Sequence, residues 1–157
     1  MDSADASIKN ATVPRPKVYI DADVLLAAAV STRGASHIIV KLSELTLIEG
    51  VISEAVQIEV ERNLRAKLPA ALPAYRALVD SAKLQIVPLP TVEQLQAYQG
   101  QANEKDLPHL AAACLAGCQY LVTHNTRDYF PKPGPLEVLK PGAFLERVRA
   151  QLARLIP

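Results

Sequence analysis

Five carboxylates stand where short apolar runs give way to polar or helical stretches. Asp21 and Asp23 follow Val18-Tyr19-Ile20, and Glu59 lies two turns into the helical pattern after the run 47–52. Asp106 opens an Ala-rich helical pattern, and Asp128 follows the run 119–123. If those runs are parallel strands, all five sit near the carboxyl ends of the sheet, where open α/β sheets bind ligands. Carboxylates gathered in this way repel one another unless a cation neutralises them. Oxygen donors of this kind suit Mg²⁺ or Mn²⁺, hard ions that keep several waters. Such an ion activates a bound water and stabilises in-line displacement at phosphorus.

Each acid also has a plainer use. Asp106 fits a helix N-cap and Asp128 a turn, Asp23 complements a helix dipole, and Glu59 fits a solvated helix face. Asp21 is the hardest to dismiss, because a charge directly after a buried strand is costly unless paired or metal-bound.

The elements that must position these acids follow from periodicity. Val18 to Ile20 reads as a strand, followed by an Ala- and Leu-rich helix that Gly34 ends. Ile38, Ile39, Leu42 and Leu45 recur at helical spacing, and 47–52 is a second strand with Ser53 as N-cap. Val56, Val60 and Leu64 form the core stripe of the next helix, with Glu61 and Arg65 as an i,i+4 pair, and Pro69 stops it. A helical stretch leads to a third strand at 84–87, and 91–101 reads as a polar, Gln-rich helix. Pro108 suits the first turn of the helix that Asp106 opens, and Gly117 its end. A fourth strand spans 119–123 and a fifth 136–139. The last helix starts at Pro141 and places Phe144, Leu145, Val148, Leu152 and Leu155 on one face. Strands alternating with helices predict a three-layer α/β/α sandwich on a mostly parallel sheet of about five strands. Residues 1–16 read as a flexible leader and 17–157 as one domain.

Length and composition bound the function. The 157 residues are 50% apolar and only 4% aromatic, which excludes a disordered chain and predicts an aliphatic core. Lys and Arg number 17 against 16 Asp and Glu, which excludes a polybasic arm but leaves room for a local basic rim. Two cysteines, Cys114 and Cys118, make no disulfide framework. No apolar run approaches the ~18–20 residues of a membrane span, and the N-terminal stretch lacks the apolar core of a secretory signal. The expected setting is cytoplasmic.

Four segments carry a family resemblance. Val18-Tyr19-Ile20-Asp21-Ala22-Asp23-Val24-Leu25 resembles the opening motif of PIN-domain ribonucleases. Ser53-Glu54-Ala55-Val56-Gln57-Ile58-Glu59 is similar to the family's second segment, and Lys105-Asp106-Leu107-Pro108-His109-Leu110-Ala111-Ala112-Ala113 to its third. Leu121-Val122-Thr123-His124-Asn125-Thr126-Arg127-Asp128-Tyr129-Phe130 resembles the fourth, particularly in toxins of the VapC type. The resemblance implies a PIN-like fold and a metal-dependent ribonuclease whose acids are Asp21, Glu59 and Asp106. It also implies homodimers and, for toxin members, a small antitoxin partner. Two departures stand out: Asp23 replaces the usual Asn, and Asn125 replaces an Asp found in many members. The fourth carboxylate then falls to Asp128, with Thr123 orienting a neighbouring acid or water. Arg33, Arg62, Lys105 and Arg127 are candidates for contacting RNA phosphates.

Two rivals remain at this level. Ile20-Asp21-Ala22-Asp23-Val24 also resembles the nucleophile motif of haloacid-dehalogenase phosphatases, although Thr123-His124-Asn125-Thr126 lacks the late acid which that chemistry needs. A non-catalytic RNA- or protein-binding module of PIN-like fold is the other. His37, His109 and His124 share no metal-ligand spacing with one another or with the cysteines.

Overall fold

Short β-branched runs, each too brief to form a stable hairpin alone, assemble here into one parallel sheet covered by helices. The computed structural model describes residues 15–157. Strands β1 (Lys17–Ile20), β2 (Glu49–Ser53), β3 (Gln85–Val87), β4 (Tyr120–Val122) and β5 (Glu137–Leu139) lie in the order β3-β2-β1-β4-β5, every neighbouring pair parallel. The helices are α1 (Ala22–Val30), α2 (Ala35–Glu44), α3 (Glu54–Lys67), α4 (Leu72–Ser81), α5 (Val92–Gln96), α6 (Leu107–Leu115) and α7 (Pro141–Ala153), with 3₁₀ turns at Pro69–Ala71 and Thr126–Asp128. On one face α1 packs against α2, α3 and α4, and α2 against α7; on the other, α5 packs on α6, which contacts β2 and β4. This is the three-layer sandwich the alternation predicts.

The chain runs outward from β1 to β2 and β3, then returns to place β4 on the far side of β1. The strand order therefore reverses beside β1, and the crevice at such a switch point is the natural ligand site of an open α/β sheet. Central strands are buried on both faces: Val18, Tyr19, Ile20, Val51, Ile52, Leu121 and Val122 are all inaccessible to solvent. As expected, Val56, Val60 and Leu64 are buried along α3. Among the described residues, no single helix is long and apolar enough to cross a membrane.

Several boundaries differ from the expected ones, each for a local reason. Strand β2 begins at Glu49 rather than 47, because α2 ends in a Schellman-type turn. There Thr46 takes φ 60° and Leu47 N–H donates to the Leu42 carbonyl at 2.9 Å. The Gln-rich helix stops at Gln96 after a Thr91–Gln94 capping box, since the residues beyond it offer no continuous apolar stripe. They turn back instead and Ala102 bridges to Tyr129. On α7, Phe144 is buried, but Leu152 is 56% exposed and Leu155 lies beyond the helix end. Of the predicted leader, residues 1–14 lie outside the described residues, and Pro16 already joins the sheet by accepting from Glu49 N–H at 2.9 Å.

Gly50 shows how tightly β2 is seated. A Cβ there would lie 2.5 Å from Ser43 Oγ and 2.7 Å from Leu84 Cδ2. Ser43 cannot swing away without cost, because its buried hydroxyl donates to the Ala82 carbonyl at 2.7 Å. Gly50→Ala is therefore expected to destabilise the fold by about 1–3 kcal/mol, the range for overpacking a filled core. Urea unfolding measures it, and an unchanged midpoint contradicts this account of β2.

Candidate metal centre

The carboxyl ends of β1, β2 and β4 and the start of α6 meet around one open cavity of about 560 Å³. Its walls include Asp21, Asp23, Glu59, Asp106, His109 and Asn125, with Arg62 and Lys105 among the lining cations.

Asp21 sits at the N-cap of α1, placed there as the residue after the central strand. Its Oδ1 accepts from Ala22 N–H at 2.8 Å and its Oδ2 from the Tyr129 hydroxyl at 2.8 Å. The residue is 6% exposed. Asp23 lies in the first turn of α1 and faces the loop after β4. Its Oδ2 accepts from Thr123 Oγ1 at 3.3 Å, His124 N–H at 3.1 Å and Asn125 Nδ2 at 3.0 Å. Its Oδ1 is buried and has no hydrogen-bond partner. Burial, and then the charge of Asp21, push the Asp23 carboxyl up to about 6.

Asp106 occupies the N-cap position of α6, yet its side chain caps nothing. Its Oδ2 is likewise buried without a partner. Burial and the Asp21 charge hold its pKa above the usual carboxylate range. The plain capping role that would explain Asp106 is therefore not used.

Glu59 projects from the second turn of α3, and its Oε2 accepts from His109 Nε2 at 3.2 Å. That hydrogen bond is the main reason its carboxyl titrates below the usual range. For His109 itself, burial opposes protonation. The bond to Glu59 and the charges of Asp21, Glu59 and Asp106 outweigh it and raise the pKa.

The remaining predicted site residues divide. Thr123 is fully buried between Asp23 and Asn125 N–H, and Asn125 faces the cavity. Asp128 does not line the cavity: its Oδ1 accepts from Asn103 Nδ2 at 3.0 Å, although its charge reaches Asp106. Arg62 and Lys105 line the cavity, whereas Arg33, on a loop, and Arg127, in the 3₁₀ turn after β4, are exposed outside it. His109, Tyr129, Tyr19 and Ser53 escaped sequence reasoning. The signal for His109 was its position three residues after Asp106, one helical turn along the same face.

The donor set suits a divalent cation. Two buried carboxylate oxygens lack any donor, and burial and the charge of Asp21 raise the cost of ionising both Asp23 and Asp106. Among the described residues no three His, Cys, Asp or Glu side chains are already gathered closely enough to hold an ion alone. Mg²⁺ does not require such a cage, since it is commonly held by one or two carboxylates and keeps its remaining waters.

A family model described as PIN domain matches residues 17–127. Among solved structures, the fold is similar to the crystal structure of VapBC2 from Rickettsia felis bound to a DNA fragment from its promoter. The TM-score is 0.57 at 13% identity, covering 78% of this chain and 98% of that one. A looser likeness links it to VapC20 of Mycobacterium tuberculosis, a sarcin-ricin loop cleaving toxin. There the TM-score is 0.48 at 16% identity, over 66% of this chain and 86% of that one. At these identities the likeness is one of fold. No curated protein matches the sequence.

The raised Asp23 carboxyl has a measurable consequence in the metal-free protein. Between pH about 4 and 6 the unfolded chain releases a proton that the folded state retains, so stability is present below this window and falls as pH rises through it. One pH unit corresponds to about 1.4 kcal/mol, and solvent screening of this partly exposed group reduces the total to about 1–2 kcal/mol. Asp23→Asn keeps the acceptor for Thr123 and Asn125 but cannot titrate. With chelator present, its stability is expected to fall less than wild type across this window, by that amount; parallel pH profiles contradict the assignment.

Proposed function

The chain belongs to the PIN-domain family, and on that footing we propose that it is a divalent-metal-dependent endoribonuclease that hydrolyses RNA phosphodiester bonds. The observation that carries the reading is the pair of buried, unpartnered carboxylate oxygens, Asp23 Oδ1 and Asp106 Oδ2, at the cavity that Asp21 and Glu59 also line. Asp21, Asp23 and Asp106 would hold Mg²⁺ or Mn²⁺, with Glu59 and Asp128 acting through water. The ion would supply an activated water and charge neutralisation at phosphorus.

The chain's own residues prepare that site. Tyr129 and Ala22 N–H fix both oxygens of Asp21, so its carboxylate cannot rotate away. Thr123 and Asn125 fix one oxygen of Asp23 and leave the other buried without a donor. Asn125 thus serves the site as a donor, which suits a position where a further carboxylate would add repulsion. Arg62 and Lys105 would bind the phosphates flanking the scissile bond, and Arg33 and Arg127 would contact RNA outside the cavity.

The motif resemblance to VapC-type toxins supports a role as the toxin of a toxin–antitoxin pair in the cytoplasm, partnered by a small antitoxin and working as a homodimer. Family membership leaves the phosphatase reading without support. A PIN-like module without catalysis would show no divalent affinity.

RNA cleavage with Mn²⁺ or Mg²⁺ and its loss in EDTA test the reading directly. Asp21→Asn and Asp106→Asn are each expected to reduce the rate at least about 100-fold, beyond the ~10–100-fold typical of groups that merely support a ligand. Folded Asp21→Asn protein with wild-type activity, or activity indifferent to chelation, would refute it. Arg62→Ala is expected to weaken RNA binding and to shrink the salt dependence, log K against log[salt], by about 0.7 if it meets one phosphate of a single strand. An unchanged slope removes Arg62 from the RNA interface.

A further inference from the structure

Glu59 is the acid whose place the backbone fixes least. It stands two turns into α3 on a long side chain that is 48% exposed. Arg62 lies one turn further on and Lys105 shares the cavity, and the charges of both reach it. Unrestrained, a carboxylate so placed would fold onto one of these cations. Instead, its Oε2 accepts from His109 Nε2 at 3.2 Å.

His109 is itself held from behind. Its side chain is 5% exposed, and Nδ1 lies 2.9 Å from the Tyr19 hydroxyl. That hydroxyl lies 2.8 Å from Ser53 Oγ, at the end of β2. Tyr19 is on the central strand and inaccessible to solvent, so the chain Ser53–Tyr19–His109–Glu59 leads from the sheet interior to the cavity. Two proton arrangements satisfy it. With a neutral imidazole, Ser53 donates to Tyr19 and Tyr19 to Nδ1; with an imidazolium, Nδ1–H donates to Tyr19 and Tyr19 to Ser53. In both, the atom facing Glu59 is an N–H donor, so the hold does not depend on the charge of the ring. Ser53 stands at the N-cap of α3 but gives that helix no side-chain bond. Its hydroxyl serves this chain instead.

We propose that His109 is a positioning residue: anchored on Tyr19 and Ser53, it holds Glu59 at the acid cavity and away from Arg62 and Lys105, leaving those two cations for the phosphates of RNA. The assignment of the cations rests on the ribonuclease reading; the hold on Glu59 does not.

Crystal structures of His109→Leu and His109→Gln without added metal test the hold by itself. In His109→Leu the Glu59 carboxylate is expected to turn onto Arg62 or Lys105. In His109→Gln, whose amide can donate from nearly the same point, it is expected to stay. Calorimetric Mn²⁺ affinity and kcat are expected to fall about 10–100-fold in His109→Leu and largely to recover in His109→Gln. KM for RNA should rise in the Leu variant alone, as the cations become engaged. Glu59 unmoved in His109→Leu overturns the proposal, as does equal impairment of the two variants, which would reduce His109 to packing. Should the Leu variant not fold, Tyr19→Phe removes the anchor and is expected to displace the His109–Glu59 pair; a fixed pair there also overturns it. If wild-type protein neither binds Mn²⁺ nor cleaves RNA, the ribonuclease reading fails, while the position of Glu59 in the variants still decides this one.

Discussion

Like charges crowded into a half-buried cavity set the terms for the surrounding structure. Asp21, Asp23 and Asp106 line one cavity at the carboxyl ends of the strands, and burial and the charge of Asp21 raise the pKa of Asp23 and Asp106. A protein that needed only a stable edge would place apolar or singly charged residues there. The neighbouring residues limit the cost by donating hydrogen bonds: Tyr129 to Asp21, Thr123 and Asn125 to Asp23, His109 to Glu59. Hydrogen bonds to an ionised acceptor are worth roughly 1.5–3 kcal/mol each, enough to orient these groups but not to cancel several adjacent charges. What remains is negative charge that the divalent ion of the proposed function would neutralise.

The parallel topology makes that crowding possible. Because β1 is central and the strand order reverses beside it, the ends of β1 and β4 deliver Asp21 and Thr123 to the same crevice, and β2 delivers Ser53 and the start of α3. Hydrogen bonds from Asp21 N–H to Val122 O and from Thr123 N–H to Leu139 O, both 3.0 Å, carry the ladder right up to the acids. Rigid strand ends thus position Asp21 and the Asp23 donors. The loop around Asn103, tied to Asp128 and Phe130, closes the other side.

Most of this frame was legible in the sequence because it rests on patterns of short range. Buried runs of β-branched residues mark the strands, and an acid directly after such a run marks Asp21. Asp106 was visible as a helix opener, but whether it capped the helix depended on a backbone geometry that residue type does not specify. Its bare Oδ2 could be seen only in three dimensions. Asp128 reads as a fourth acid from its place after the fourth strand, yet it lies outside the cavity lining and its Oδ1 accepts from Asn103, 25 residues earlier. His109 was hidden for a related reason: its partners, Tyr19 and Glu59, are 90 and 50 residues away, and no periodicity encodes such pairs.

Near-neutral net charge acquires a different meaning once the acids are located. Four of the 16 acids and two of the 17 Lys and Arg line the cavity, which leaves 12 acids against 15 cations over the rest of the chain. In formal charge the cavity is therefore negative by two and the remainder positive by three. By that count a single divalent ion would bring the cavity to neutrality. Pairing of Glu59 with Arg62 or Lys105 would leave that sum unchanged, but on the ribonuclease reading it would take a cation away from the phosphates. A hydrogen bond from a buried histidine is well suited to the task, because it satisfies the carboxylate without adding another mobile cation to the cavity.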